Sequence, residues 1–284
     1  MTRARAPSQL VGMDVVKTPA RLTPATSALA PPKVARESGS PDVPPLFIVS
    51  VGCPCEEPSV WKTEKDGETY NCVFYFALRP ETTAALAALT AGEAAGGGGA
   101  AAAAAACPAA VRLLREYCRQ APRDEKFRGR FKAIAHIVNF DELGLPSWLK
   151  GYNAKPVLIQ KSGAVHVGPD FLEMDVDIRG WSILSKQGLF TLFPHFKDIL
   201  VEIGFVIEGR DDDEMPEARA RARARLALPR PRRARASLRR RAPSLLRPTP
   251  IQAMLGCNLF NIDPTTVRPI GAVGPDDMSG KAEC

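Results

Sequence analysis

Phe171-Leu172-Glu173-Met174-Asp175-Val176-Asp177-Ile178 alternates apolar and polar side chains. Successive side chains of an extended chain point to opposite faces. Leu172, Met174, Val176 and Ile178 therefore share one face, and Glu173, Asp175 and Asp177 share the other. The pattern predicts a half-buried strand, entered through the turn Gly168-Pro169-Asp170. A row of carboxylates can collect a divalent cation. The expected arrangement here is instead a solvated face, or pairing with Arg128, Arg130 and Lys132.

The same period recurs on either side. Ile199, Val201, Ile203, Phe205 and Ile207 face together within Ile199–Glu208, with Glu202 and Glu208 opposite. Tyr70–Leu78 places Tyr70, Cys72, Phe74, Phe76 and Leu78 on one face. Leu46–Val51 is an apolar run between Pro45 and Gly52 and reads as a buried strand. Asp66-Gly67 marks a turn between these two. Phe131–Phe140, Pro156–Gln160 (before a turn at Lys161-Ser162-Gly163) and Met254–Ile262 supply further strands. Val111, Leu114 and Cys118 fall at helical spacing and predict a helix over Ala109–Gln120. The apolar segment Trp181–Phe193 predicts another, ending at Pro194. Strands and helices follow no regular βαβ order. The expected class is α+β: a single domain with a largely antiparallel sheet and helices packed on it.

Three segments stand apart by composition. Residues 1–45 hold eight prolines and are expected to form a mostly extended arm with little packed core. Ala84–Ala106 contains fourteen Ala and five Gly and reads as a low-complexity, disordered insertion, whose all-alanine end Ala100–Ala106 can extend toward the helix that follows. It is too weakly apolar to enter a bilayer. Ala218–Gln252 holds twelve Arg and no Lys, Asp or Glu. The net charge of +7 comes from this stretch, since the rest of the chain carries 26 basic and 31 acidic residues. Basicity is therefore no argument for nucleic acid, and the stretch also lacks interleaved aromatics for base stacking. Its Ala-Arg alternation is what GC-rich noncoding repeats encode, as in a retained intron. The domain is expected to comprise residues 46–217 and 253–270, with a tail over 271–284, and the strands flanking the Arg-rich stretch are expected in one sheet.

Signals for chemistry are few. The cysteines are Cys53, Cys55, Cys72, Cys107, Cys118, Cys257 and Cys284. Their odd number, and the lack of a cleavable apolar leader after Met1, predict a reduced cytoplasmic setting. Cys53-Pro54-Cys55 is too tightly spaced for the usual metal or redox pair. His136, His166 and His195 match no ligand spacing and are expected to be structural. There is no phosphate loop, nucleophile elbow or metal-binding helix. No catalytic, metal-binding or cofactor-binding residue is named, no cofactor is expected, and the chain is expected to act without catalysis. Trp148, Trp181, Leu184, Phe190, Phe193 and Phe196 are the candidates for lipid or membrane contact, and core packing would use the same side chains.

Several motifs occur together in order. Phe127-Arg128-Gly129-Arg130-Phe131-Lys132-Ala133-Ile134 precedes Lys155-Pro156-Val157-Leu158-Ile159, then Val167-Gly168-Pro169-Asp170 leading into the alternating strand, then Glu208 and Glu214-Met215-Pro216-Glu217. Leu10-Val11-Gly12-Met13-Asp14 and Leu46–Pro54 belong to the same set. The set resembles the C-terminal domain of the plant enhanced disease resistance 2 proteins, over roughly residues 10–270. In that family the acidic-proline motif runs directly into a small apolar strand, so Ala218–Gln252 reads as an insertion between Glu217 and Ala253. Members pair the domain with pleckstrin homology and START lipid-binding domains. The resemblance thus implies lipid or membrane association, and it supplies no catalytic residue. A regulatory scaffold that binds protein partners through its acidic surface is the second reading.

Overall fold

A computed structural model of the chain describes residues 6–35, 37–60, 66–159, 162–211 and 214, with the backbone of 251–261 and 268–269. Residues 215–250, which include nearly all of the Arg-rich stretch, lie outside the described residues. Strands β1 (Ser8–Thr18), β2 (Leu46–Pro54), β3 (Thr69–Leu78), β6 (Gly163–Val167), β7 (Phe171–Asp177) and β10 (Arg268–Pro269) form one sheet, ordered β10-β1-β3-β2-β7-β6. Strands β4 (Phe131–Ile137), β5 (Pro156–Leu158), β8 (Leu200–Glu208) and β9 (Ile251–Asn261) form a second, ordered β5-β4-β8-β9. Pairing is antiparallel except for β2–β7 and β1–β10. The class is α+β, in one domain.

The strands make two sheets where one was expected. The physical reason lies in their inward faces. Cys72, Phe74 and Phe76 of β3 and Phe205 and Ile207 of β8 are all buried in one cluster. Two apolar faces of this kind are covered by packing on each other. Phe131 sits at the centre, its ring 5.8 Å from Phe205, 6.1 Å from Phe47 and 6.2 Å from Tyr117. β9 pairs with β8 from Ile251 onward, so the strands flanking the Arg-rich stretch share a sheet as expected.

Residues 84–106 are not a disordered insertion. They fold into α1 (Pro80–Ala95) and α2 (Gly97–Ala106), ahead of α3 (Ala109–Gln120). Alanine is the strongest helix former, and its repetition decides the local structure. Gly96, at φ +70°, separates the two helices. Leu86 and Leu89 of α1 enter the core beside Val111, Leu114 and Tyr117 of α3. Arg115 of α3 grips Glu93 and Asp42, each at 2.7 Å. Short helices α4 (Glu125–Arg128) and α5 (Ser147–Lys150) follow, and α6 (Ile183–Leu192) lies within the predicted Trp181–Phe193.

The N-terminal arm is a structural layer, which corrects the expectation that little of it could pack. β1 pairs along β3, and the Tyr75 hydroxyl donates to Asp14 at 2.9 Å. Ala25 and Leu29, with Leu22 and Val34 packed beside them, cover Val16, Leu46, Ile48, Val73 and Tyr75 on the outer face of the larger sheet. A few well-placed apolar residues suffice where the sheet already offers an apolar surface.

That layer also overturns the reading of the acidic row. Glu173 is 0% exposed and Asp175 is 7% exposed. The Glu173 carboxylate accepts from the main-chain amide of Ala25, the amide of Thr26 and the Thr26 hydroxyl. Asp175 accepts from the Thr23 hydroxyl, and Asp177 accepts from Arg21 Nη1 at 2.7 Å. Alternate carboxylates on β7 thus hold successive residues of the arm. The expected partners are engaged elsewhere: Arg130 with Glu214 at 2.8 Å and Lys132 with Glu208 at 2.6 Å, while Arg128 donates to the Ala121 carbonyl.

Asp175 carries a testable consequence. Burial, reinforced by the adjacent Glu173 carboxylate, pushes its carboxyl up to about 8, against opposing help from Thr23 and Arg21. His166 of β6 stands 3.1 Å away, and Asp177 is the next carboxylate along the strand. The folded state therefore holds a proton that the unfolded chain releases near the ordinary value of 3.8. This group's contribution is fully present at low pH and declines as pH rises toward about 8. Asp175→Asn keeps an acceptor for Thr23 without the charge. Compared by urea unfolding at mildly acidic and mildly alkaline pH, the substitution is expected to gain stability relative to wild type as pH rises. A pH-independent difference would contradict the assignment.

Candidate functional site

Between the two sheets lies an apolar cavity of about 300 Å³. β4 and β8 explain why space remains there. In their register Ala133 stands opposite Phe205 and Ala135 opposite Ile203, so β4 presents small side chains where its neighbour presents large ones. All four line the cavity. The wall joins two core clusters: Cys72, Phe74 and Phe205 belong to one, and Ile137, Phe140 and Leu149 to the other.

α5 and α6 close the remaining side. Gly188 is the buried residue of α6, and a Cβ added there would stand 3.1 Å from Leu149 Cδ2 and 3.6 Å from the Trp148 ring. The absence of a side chain lets α6 rest closely on α5, while Leu184, Leu189 and Leu192 line the cavity. Trp148 is 40% exposed, Leu184 48% and Tyr152 55%, and all three belong to the wall. Exposed apolar side chains thus mark its opening, a grouping that points to an interaction site.

Among the described residues the lining holds no Lys, Arg, His, Asp or Glu. Its polar groups are largely occupied within the protein. Trp181 Nε1 donates to Ser162 Oγ at 2.9 Å, and Asn153 exchanges hydrogen bonds with the Ile137 main chain at 2.7 and 3.0 Å. The Ser185 hydroxyl meets that of Ser182 at 2.8 Å. The hydrogen bond to Cys72, together with burial, holds the Cys53 thiol well above its ordinary value, so it stays uncharged at neutral pH. The arrangement suits an uncharged apolar ligand, because transferring an unpaired charge into such a wall is costly.

Of the residues singled out from sequence, Trp148, Trp181, Leu184 and Phe196 line the cavity. Phe190 and Phe193 do not belong to its lining. Phe193 packs 6.1 Å from Tyr70, 5.8 Å from Phe190 and 4.9 Å from Phe196, outside the wall. Sequence reasoning missed the strand residues, Ala133, Ala135, Val201 and Ile203 among them. The inward alanines are the signal that could have found them. The histidines keep local roles: His136 lies 3.1 Å from Glu202, and His195 ends a short turn after α6. Among the described residues no group of His, Cys, Asp or Glu is placed to hold a metal ion, and no single helix is long and apolar enough to cross a membrane.

Residues 1–219 match the family described as "Protein ENHANCED DISEASE RESISTANCE 2, C-terminal". The match covers every described element as far as β8 and ends where the Arg-rich stretch begins, short of the 270 anticipated. No curated protein and no solved structure matches the chain. With most of its length covered, and with its motifs built into both sheets, the chain belongs to the enhanced disease resistance 2 C-terminal family.

Proposed function

We propose that the domain is a non-enzymatic, lipid-binding module whose cavity takes up one apolar chain at a membrane surface. The observation that carries this reading is the cavity itself: about 300 Å³, apolar, free of charged side chains among the described residues, and opening through exposed Trp148, Tyr152 and Leu184. That volume lies at the lower end of ligand pockets, which favours a single chain over a bulky lipid. Amphipathic aromatics such as Trp148 and Tyr152 suit the boundary between water and hydrocarbon. The role would be to bind and present lipid at the cytoplasmic side of a membrane, without a cofactor and without nucleic acid.

Sedimentation of the full chain with neutral phosphatidylcholine vesicles at raised ionic strength tests membrane contact while screening the Arg-rich stretch. Wild type is expected to pellet with the vesicles. Leu184→Glu, which places a charge at the opening, is expected to weaken retention about tenfold. Equal retention of the two proteins, or none by wild type, would count against contact through this opening.

A further inference from the structure

The turn that leads into β5 stands at the mouth of the apolar cavity. Tyr152 and Val157 are both exposed and both line the cavity, and Lys155 lies between them in the chain. Its place is fixed by β4. The Ala154 amide donates to the Ala135 carbonyl at 2.9 Å, and the Lys155 amide donates to the Tyr152 carbonyl at 3.1 Å. Asn153 holds the Ile137 main chain from the same turn. Ala154, at φ 59°, is the one non-glycine residue in the left-handed region among the described residues. Such a conformation persists only where its surroundings enforce it, so the root of the Lys155 side chain is set by the fold.

The Lys155 ammonium stands 5.8 Å from the centroid of the Tyr152 ring, and that ring meets the Trp148 ring edge-on at 6.2 Å. An aromatic face attracts a cation, which keeps this one beside the rings that mark the opening. Among the described residues no carboxylate forms an ion pair with it. Two other lysines near the opening are engaged: Lys150 of α5 with Asp141 at 2.6 Å, and Lys186 of α6 as donor to the Arg179 carbonyl at 3.4 Å. The wall inside carries no charge among the described residues. A molecule with one apolar chain and one anionic end matches this arrangement, since its chain enters the wall while its charge stays in water beside Lys155. One ammonium suits one negative charge. A carboxylate brings one at neutral pH, whereas a phosphate monoester brings about 1.5 to 2.

We propose that the ligand is a fatty acid, with its chain in the cavity and its carboxylate beside Lys155 at the mouth. The inference rests on the apolar-cavity reading and adds the head group to it. Lys155 then acts as the specificity residue among single-chain lipids. It attracts the carboxylate and offers no such gain to an alcohol of the same chain length. An exposed pair of this kind changes affinity severalfold.

Equilibrium dialysis of the full chain against radiolabelled laurate and radiolabelled dodecanol, at neutral pH and low ionic strength, tests it. Wild type is expected to bind both. Lys155→Gln is expected to weaken laurate binding about fivefold and to leave dodecanol binding unchanged, while Lys155→Arg retains laurate. Added salt should shrink the laurate difference, because the pair is exposed. The Arg-rich stretch is common to all three proteins, so its own attraction for laurate cancels in the comparison. Laurate binding indifferent to Lys155→Gln would overturn the proposal, as would equal losses of laurate and dodecanol. Either result, with dodecanol still bound by wild type, leaves the cavity reading standing. Binding of neither ligand by wild type would remove both.

Discussion

Phe131→Ala is expected to lower the stability of the domain by about 3–5 kcal/mol, a large share of what a domain of this size possesses. Phe131 is fully buried and touches the rings of Phe47, Tyr117 and Phe205, so it joins β2, α3, β4 and β8. Truncation leaves a hole where both sheets and a helix meet. Close packing from three directions prevents easy collapse, which places the cost toward the upper end of the range. Urea unfolding of wild type and variant measures it. A loss below about 1 kcal/mol would mean that the sheets do not depend on this contact.

Glu173→Ala is expected to cost about 2–5 kcal/mol, because the Ala25 and Thr26 amides would be left without their acceptor beneath the arm. Glu173→Gln keeps an acceptor oxygen and should cost less. The same substitution should free the arm locally, since these bonds join residues 25 and 26 to β7. Limited proteolysis is the second readout: cleavage within residues 19–45 should accelerate in Glu173→Ala before the rest of the domain unfolds. Cleavage at the wild-type rate would show that the apolar contacts of Ala25 and Leu29 hold the arm unaided.

Much of the fold was legible because its strands alternate. Tyr70–Leu78, Phe171–Ile178 and Ile199–Glu208 each locate a strand and its inward face, and α3 matches its predicted bounds. What alternation cannot reveal is what covers the other face. Glu173 and Asp175 look solvated in sequence and are buried, because the cover comes from a proline-rich arm with few apolar residues. Composition hides part of the Ala/Gly segment as well: beyond its all-alanine end, low complexity reads as disorder, whereas both halves fold into helix because alanine is the strongest helix former. The cavity was half visible. Large apolar residues on and around α6 stand out in sequence, but Ala133 and Ala135 become a site only when β8 sets Phe205 and Ile203 beside them. Empty space is a property of pairs of strands, and a single strand does not show it.

The proposed apolar chain would occupy the space beside Ala135. Fluorescence titration of wild type and Ala135→Trp with anthroyloxy-labelled stearate tests it most directly. Ala135 lines the cavity and is exposed, so an indole there occupies the void rather than the packed core. The expected result is saturable binding by wild type, displaced by unlabelled lipid, and at least about tenfold weaker binding by a variant with an unchanged melting profile. No binding by wild type, or equal binding by both proteins, would contradict it.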